Sequence, residues 1–154
     1  MDDLKKLYSE LGFQNIRTFI QSGNVIFDSP LQNTHEISLK IVGILKSSIG
    51  MDVPVVIRTM PELEEIIANN PFKQEDQSKI NVIFLNDIPK EVNFEKAVAA
   101  KGDSEKFAIN GKELYIYYSE GVSNSKLTVD LFEKCLKVTA TIRNINTVNR
   151  LLLF

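Results

Sequence analysis

The chain has 154 residues, a length that fits one compact domain or two small ones sharing a core. Hydrophobic residues make up 44% and charged residues 25%, with a net charge of −2, which is the balance of an ordinary globular protein. This charge excludes the strong positive field behind sequence-independent nucleic-acid binding, and no apolar run approaches the roughly 20 residues of a membrane span.

The first half of the chain predicts the order α-β-β-α-β. Its first helix is indicated by an apolar stripe at i, i+3, i+4 and i+7, formed by Leu4, Leu7, Tyr8 and Leu11. Residues 15–28 then change to β composition around the turn Ser22-Gly23-Asn24, which predicts a hairpin. Thr34 is expected to cap a second helix that ends at Gly50, and residues 53–57 are expected to form a strand.

The second half predicts the order β-α-β-β-α-β. Residues 80–85 are apolar except for one asparagine, which indicates a central strand covered on both faces. Asn110-Gly111 predicts a hairpin turn, because both turn positions favour positive φ. Ser125 is expected to cap a helix before a last strand at 139–142, and a brief terminal helix is expected at 147–154.

The two halves predict one plan used twice. The order β-α-β-β-α-β is that of the ferredoxin-like fold, and the first half has the same order without its first strand. We therefore predict an α+β fold with a duplicated ferredoxin-like plan. It comprises an incomplete N-terminal unit at 1–60, a linking helix and loop at 61–78, and a C-terminal unit at 79–154.

A missing first strand has a physical consequence. In the common strand order 4-1-3-2 that strand lies inside the sheet, so its loss leaves backbone groups of both neighbours without partners, at about 1–3 kcal/mol for each buried group. An open edge also invites another chain, which predicts a protein partner or a homo-oligomer. The alternative is that the sequence begins at an internal methionine.

Several segments are similar to one family. The most telling is Gln21-Ser22-Gly23-Asn24-Val25-Ile26-Phe27, preceded by Arg17-Thr18-Phe19-Ile20 and joined by 11–13, 56–59, 70–72 and 141–148. These segments resemble the bacterial "domain of unknown function 1697" family. Its members usually carry an earlier strand and a glycine-rich loop, Leu-Leu-Arg-Gly-Ile-Asn-Val-Gly-Gly, and Asn-Trp-Asn where this chain has Asn144-Ile145-Asn146. The resemblance implies the fold but no activity, and a site built on that loop would be incomplete here.

Three arginines recur in a similar context, in or at the end of a predicted strand. A guanidinium fork suits carboxylate or phosphate recognition, so these arginines predict a pocket for a small anionic ligand with nearby polar side chains. The candidate ligand-binding residues are Arg17, Gln21, Ser22, Asn24, Arg58, Arg143 and Asn144. The alternatives are surface arginines or arginines paired with acids, and residues 21–24 also have ordinary turn chemistry.

The remaining polar residues predict no catalytic constellation. Cys135 and His35 are single, so the chain offers no disulfide, no zinc-ligand spacing and no Cys–His pair, and we predict no cofactor and a reducing, cytoplasmic location. Tyr115 and Tyr117 would share one sheet face, where RNA-recognition modules stack bases, or would pack against a helix or the other half's sheet.

Three functions therefore stay open at the level of sequence. The first is small-ligand or anion binding, which includes an unrecognised enzymatic activity. The second is a protein-interaction module that pairs through a sheet edge. The third is a single-stranded nucleic-acid binder, which the net charge of −2 does not favour. Substrate, reaction and partner are not identified.

Overall fold

A computed structural model describes residues 2–19, 23–50 and 52–153. Its helices and antiparallel sheets confirm the predicted α+β class. The chain divides into two compact units, an N-terminal unit of Met1–Arg58 with Leu153–Phe154 and a C-terminal unit of Thr59–Leu152. Within the described ranges, none of the helices combines the length and the apolarity that a membrane crossing demands.

The N-terminal unit contains two helices and a β-hairpin. Its elements are α1 (Asp2–Glu10), β1 (Gln14–Phe19), β2 (Asn24–Asp28) and α2 (Thr34–Ile49). β1 and β2 are antiparallel, with Arg17 opposite Ile26 and Phe19 opposite Asn24. Gly12 follows α1 with a φ of +87°, a conformation that glycine adopts without steric cost.

The cap of α2 lies one residue earlier than predicted. Asn33, rather than Thr34, has the extended N-cap conformation, and its Oδ1 accepts hydrogen bonds from the backbone N–H groups of His35 and Glu36. Asparagine and threonine side chains can both cap a helix. Here the side-chain oxygen of Asn33 accepts the hydrogen bonds from the first free N–H groups of α2. The helix ends as predicted at Gly50, whose φ is +77°.

The core of the N-terminal unit lies between the hairpin and the two helices. Its buried residues are Tyr8, Phe13, Ile37, Ile41 and Leu45. The rings of Phe13 and Phe27 stack with their centroids 4.5 Å apart, and Tyr8 meets Phe27 edge-on at 5.4 Å. Aromatic side chains thus join α1 to one face of the hairpin.

The strand predicted at 53–57 is absent. Residues 52–59 have no regular secondary structure. The side chains of Val53, Val55 and Ile57 nevertheless pack, half-buried, against the N-terminal core. The alternation of apolar residues was therefore a correct signal for burial, but a strand also needs a hydrogen-bonded neighbour, and this segment has none within the described ranges.

The C-terminal unit contains a four-stranded antiparallel sheet. Its elements are α3 (Met60–Ala68), β3 (Ile80–Leu85), α4 (Glu95–Ala100), β4 (Lys106–Asn110), β5 (Glu113–Tyr117), α5 (Val129–Leu136), β6 (Ala140–Asn144) and α6 (Ile145–Leu151), with short 3₁₀ turns at Gln77–Lys79 and Val122–Asn124. The strand order is β4-β5-β3-β6. The predicted β-α-β-β-α-β succession is confirmed, and this order is the ferredoxin-like 4-1-3-2 arrangement.

β3 is the central strand of this sheet and is buried along its whole length. On one face, Ile83 and Leu85 join a core formed with α4 and α5. On the other face, Val82 lies beside Tyr115 of β5, whose hydroxyl donates to the carbonyl of Ile66 in α3 at 2.7 Å. Because both faces are covered, the strand is apolar on both, except at the buried Asn81.

Three boundaries in this unit differ from the predicted ones. Asn110 pairs with Glu113, so the two-residue turn is Gly111-Lys112 and not Asn110-Gly111. The cap of α5 is Thr128 rather than Ser125, because the Oγ1 of Thr128 accepts from the N–H of Leu131. The terminal helix begins at Ile145, earlier than predicted, because Asn144 caps it.

Candidate functional site

The predicted ligand-binding residues are divided between the two units. Arg17, Asn24 and Arg58 belong to the N-terminal unit, whereas Arg143 and Asn144 belong to the C-terminal unit. Gln21 and Ser22 lie outside the described residues. A pocket formed by all seven residues therefore stays a prediction.

Arg17 and Asn24 share one face of the hairpin. Arg17 lies opposite Ile26 on the neighbouring strand, and Asn24 lies two residues before Ile26 on the same strand. Because side chains alternate along a strand, these residues point away from the core that receives Val25 and Phe27. Arg17 is exposed and Asn24 is half-buried.

Arg58 ends the segment that packs on the N-terminal core. Its guanidinium Nη1 donates to the carbonyl of Ile57 at 2.9 Å. The next residue, Thr59, caps α3 through a capping box, in which its backbone N–H donates to the carboxylate of Glu62 at 2.9 Å. The arginine thus lies where an extended segment turns into a helix.

Arg143 occupies a similar place at the end of β6. Its Nη1 donates to the carbonyl of Ile142 and to the hydroxyl of Thr141, both at 2.7 Å. Burial lowers the pKa of Arg143, but an arginine side chain stays protonated in proteins. The guanidinium is therefore a half-buried cation held against its own strand.

Asn144 has a structural role. Its Oδ1 accepts from the backbone N–H of Asn146 at 2.9 Å, which caps α6. Its Nδ2 donates to the carbonyl of Ser78 at 2.9 Å. These bonds hold the start of α6 to the residues before β3. This role was not predicted, because the terminal helix was expected to begin two residues later, at 147.

Two segments of the chain thus have the same local pattern, one in residues 53–59 and one in residues 138–144. Each ends in isoleucine, arginine and a helix-capping residue, and each arginine donates to the carbonyl of the isoleucine before it. Each sends alternate apolar side chains into the core of its own unit, and these are Val53, Val55 and Ile57 in one segment and Val138, Ala140 and Ile142 in the other.

The two segments differ in their backbone partners. The strand in 138–144 pairs with β3, and just beyond it the N–H of Asn86 donates to the carbonyl of Thr139 at 3.0 Å. Residues 53–57 pair with no strand in the described part of the chain, and there β2 pairs only with β1. We call the edge of β2 that faces away from β1, together with the backbone of residues 53–57, the open edges.

The tyrosines predicted as a stacking surface are placed differently. Tyr115 is 1% exposed and packs against α3, which is the helix-packing alternative given in the sequence analysis. Its ring is therefore unavailable for base stacking. Burial raises the pKa of Tyr115 to about 12. Tyr117 is half-buried beside Lys106, whose Nζ lies 5.9 Å from the ring centre and 2.9 Å from the carboxylate of Glu75.

Two other polar features were not predicted. A depression of about 210 Å³ at the base of the hairpin is lined by Gly12, Gln14, Asp28, Ser29 and Pro30, and the carboxylate of Asp28 accepts from the side chain of Asn15 at 2.7 Å. Asn81 in β3 is buried, and its Nδ2 has no hydrogen-bond partner among the described residues. Neither feature has a signal in the sequence.

Comparison with known proteins gives a family and a fold. No curated protein matches the chain. Its structure is similar to that of a conserved bacterial protein, SP0830 from Streptococcus pneumoniae, with a TM-score of 0.66 and 17% sequence identity over 99% of this chain and 87% of that one. This likeness concerns the fold alone. The profile of the family described as "Protein of unknown function (DUF1697)" matches residues 1–115, and the chain therefore belongs to that family.

Proposed function

We propose that the N-terminal unit binds an extended polypeptide segment as an added β-strand between the open edges, so that the protein is a protein-interaction module. One observation carries the proposal. Residues 53–57 pack on their core as a strand would, with alternate side chains inward, yet have no strand partner within the described ranges. Strand addition of this kind supplies main-chain hydrogen bonds and side-chain pockets together.

The proposal treats the two units as two copies of one plan. The hairpin β1–β2 then corresponds to β4–β5, helix α2 to α5, and residues 53–57 to β6. The shared isoleucine, arginine and capping residue at the end of 53–59 and 138–144 support this correspondence. The position of β3, between β5 and β6, corresponds to the space between the open edges.

Burial on either side of that space also supports the proposal. Leu114 and Ile116 of β5, which flank β3, are fully buried. Val25 and Phe27 are the matching inward residues of β2, and both are only half-buried. Covering an apolar side chain contributes about 25 cal/mol per Å², so an added strand would gain free energy from these residues as well as from its hydrogen bonds.

Hydrogen–deuterium exchange on the full chain tests the proposal with a soluble peptide that has the sequence of residues 79–86. We expect the peptide to bind and to slow exchange at the amides of Val55, Val56 and Ile57. A peptide of the same sequence with N-methylated alternate amides keeps the side chains but loses the donors along one edge, and it should bind more weakly. Equal binding of both peptides, or protection confined to β5 and β6, would overturn the proposal.

We also propose a second function, binding of a small anion on the hairpin face that carries Arg17 and Asn24. The observation that favours it is the cross-strand register, which places both side chains on the face away from the core. Inorganic phosphate and citrate should raise the melting temperature, and Arg17→Gln should abolish the rise, whereas Lys5→Gln on α1 should not. An equal rise in both variants would contradict it.

A further inference from the structure

We propose that two copies of the chain join through the outer edge of β4, so that their two four-stranded sheets form one continuous sheet. The two β4 strands pair antiparallel about a two-fold axis at Ala108. This interface belongs to the C-terminal unit and does not depend on the open edges of the N-terminal unit. It follows from a difference between the two outer strands of the sheet, β4 and β6.

The hydrogen bonds of the sheet determine which backbone groups of β4 point outward. The N–H of Leu85 in β3 donates to the carbonyl of Lys112 at 2.8 Å, so the even-numbered residues at β5 bond to β3. Successive residues of an antiparallel strand bond to opposite sides, so the odd-numbered residues of β5 bond to the even-numbered residues of β4. Phe107 and Ile109 therefore direct their N–H and carbonyl groups away from the sheet.

The outer edge of β6 is covered by side chains of its own unit. By the same alternation, Ala140 and Ile142 direct their backbone groups outward. The N–H of Ala140 donates to the carboxylate of Glu133 at 3.0 Å, and the carbonyl of Ile142 accepts from the guanidinium of Arg143 at 2.7 Å. A strand that paired with this edge would have to displace both charged groups, and covering of this kind protects sheets from edge-to-edge pairing.

The outer edge of β4 is covered only before its first residue. There the N–H of Glu105 donates to the carbonyl of Gly102 at 3.1 Å, and the carbonyl of Glu105 accepts from the Nζ of Lys101 at 2.9 Å. For the outward groups of Phe107 and Ile109, no hydrogen-bond partner lies in the part of the chain that the structure describes. β4 also contains no proline, and its residues that face the core are apolar, so the usual protections of an edge strand are missing from it.

The outward groups of β4 are complementary to the same groups of a second copy. When Ala108 lies opposite Ala108 of the second copy, Phe107 lies opposite Ile109 of that copy, and the reverse holds by symmetry. Each such pair exchanges two hydrogen bonds, so every outward N–H and carbonyl of these residues gains a partner. The side chains of Phe107 and Ile109 are half-buried on the core face, and the pairing brings them into contact across the axis. One surface thus serves both copies, as in other two-fold interfaces.

The charged residues at this edge are compatible with that register. Lys106 lies opposite Asn110 of the second copy, and its Nζ lies 2.9 Å from the carboxylate of Glu75 in its own chain. Within the hairpin, Glu113 lies opposite Asn110, and Lys112 lies in the turn beyond it. The register therefore places no lysine opposite a lysine, and like charges directly opposite each other are what would destabilise the pairing.

Analytical ultracentrifugation of the full chain tests the edge. We expect a reversible dimer, and Ile109→Pro should weaken dimerisation by about tenfold or more, because proline removes an outward N–H from each copy but no bond to β5. Ile142→Pro is the matched control on the covered edge of β6, and it should leave dimerisation unchanged. Circular dichroism verifies that both variants fold. A chain that stays monomeric at millimolar concentration, or equal weakening by both variants, would overturn the proposal. Protection of the β4 amides by an added peptide alone would assign the edge to another polypeptide.

Disulfide formation tests the register without altering the backbone. In a Cys135→Ala background, Ala108→Cys places two thiols opposite each other at the axis, where the Cα atoms of a non-hydrogen-bonded pair lie about 4.5 Å apart, within the range of a disulfide. Oxidised glutathione should link the two copies. Asn110→Cys is more exposed but lies away from the axis, and it should link several-fold more slowly. Faster linking through Asn110→Cys would overturn the register, and a dimer that neither cysteine links would overturn the proposal.

Discussion

The two units differ in how their strands pair. The C-terminal unit has β3, with all six residues buried and a hydrogen-bonded neighbour on each side. The N-terminal unit has a hairpin and an apolar segment at 53–57 that pack on a common core, but within the described ranges it has no strand between them. The comparison teaches that apolar alternation determines which side of a segment is buried, whereas a ladder partner determines whether the segment is a strand.

Backbone protection should differ most between the two regions. In the chain without peptide, we expect the amides of β3 to exchange at least about 1,000-fold more slowly than those of Val55, Val56 and Ile57, because opening a central strand requires unfolding the sheet. Residue-resolved hydrogen exchange measures this ratio. Comparable protection in both segments would show that 53–57 is held by a partner after all.

Shortening an apolar side chain should cost more stability in β3 than in residues 53–57. Ile83→Ala in β3 should lower the free energy of unfolding by about 2–5 kcal/mol, because this residue is fully buried. Ile57→Ala is the matched change at a half-buried position and should cost clearly less. Urea unfolding followed by circular dichroism gives both values. Equal losses would contradict the difference in packing between the two segments.

The capping residues of the two similar segments provide a smaller test. Asn144→Ala should lower the melting temperature more than Thr59→Ala, because Asn144 caps α6 and also bonds the carbonyl of Ser78. A cap is worth about 1 kcal/mol, and the second bond adds about 0.5–1.5 kcal/mol. Asn146→Ala, on the same helix, is the control. A smaller loss for Asn144→Ala would contradict the assigned contacts.

Alkaline pH should destabilise both cores gradually. Burial raises the pKa of Tyr8 and of Tyr115 from the ordinary phenol value of 10.0 to about 12, so the folded state favours the neutral phenols. Their contribution to stability is complete below about pH 10 and is lost as the pH rises from about 10 to about 12. Tyr115→Phe and Tyr8→Phe should each reduce this fall in unfolding free energy. An unchanged pH profile in both variants would contradict it.

Much of the fold could be predicted because its signals are local. The helix stop at Gly50 and the apolar run of β3 are confirmed. The turn was misplaced at 110–111 because its position depends on the cross-strand register, which places Asn110 opposite Glu113. The two residues Asn110-Gly111 do not by themselves specify that register. The choice of Asn33 over Thr34 depended on which of two suitable side chains reaches the first free N–H groups.

Less of the candidate site could be predicted. Arg17 and Asn24 share a face because of the hairpin register, and the turn at Ser22-Gly23-Asn24 predicted the hairpin itself. The role of Asn144 could have been found from a capping residue directly before a helical segment. A pocket that joins arginines from both halves depends on contacts between distant parts of the chain, and no local pattern contains that information. The open edges became visible only when strand pairing was known.

Pro54 has a consequence for the protein's colloidal behaviour. Residues 53–57 read Val-Pro-Val-Val-Ile, so a proline interrupts what would otherwise be an uninterrupted β-branched run. Each layer of a stacked cross-β fibril would lack one hydrogen bond at this residue. The proline therefore disfavours stacking of this segment with copies of itself, the effect expected of a gatekeeper residue.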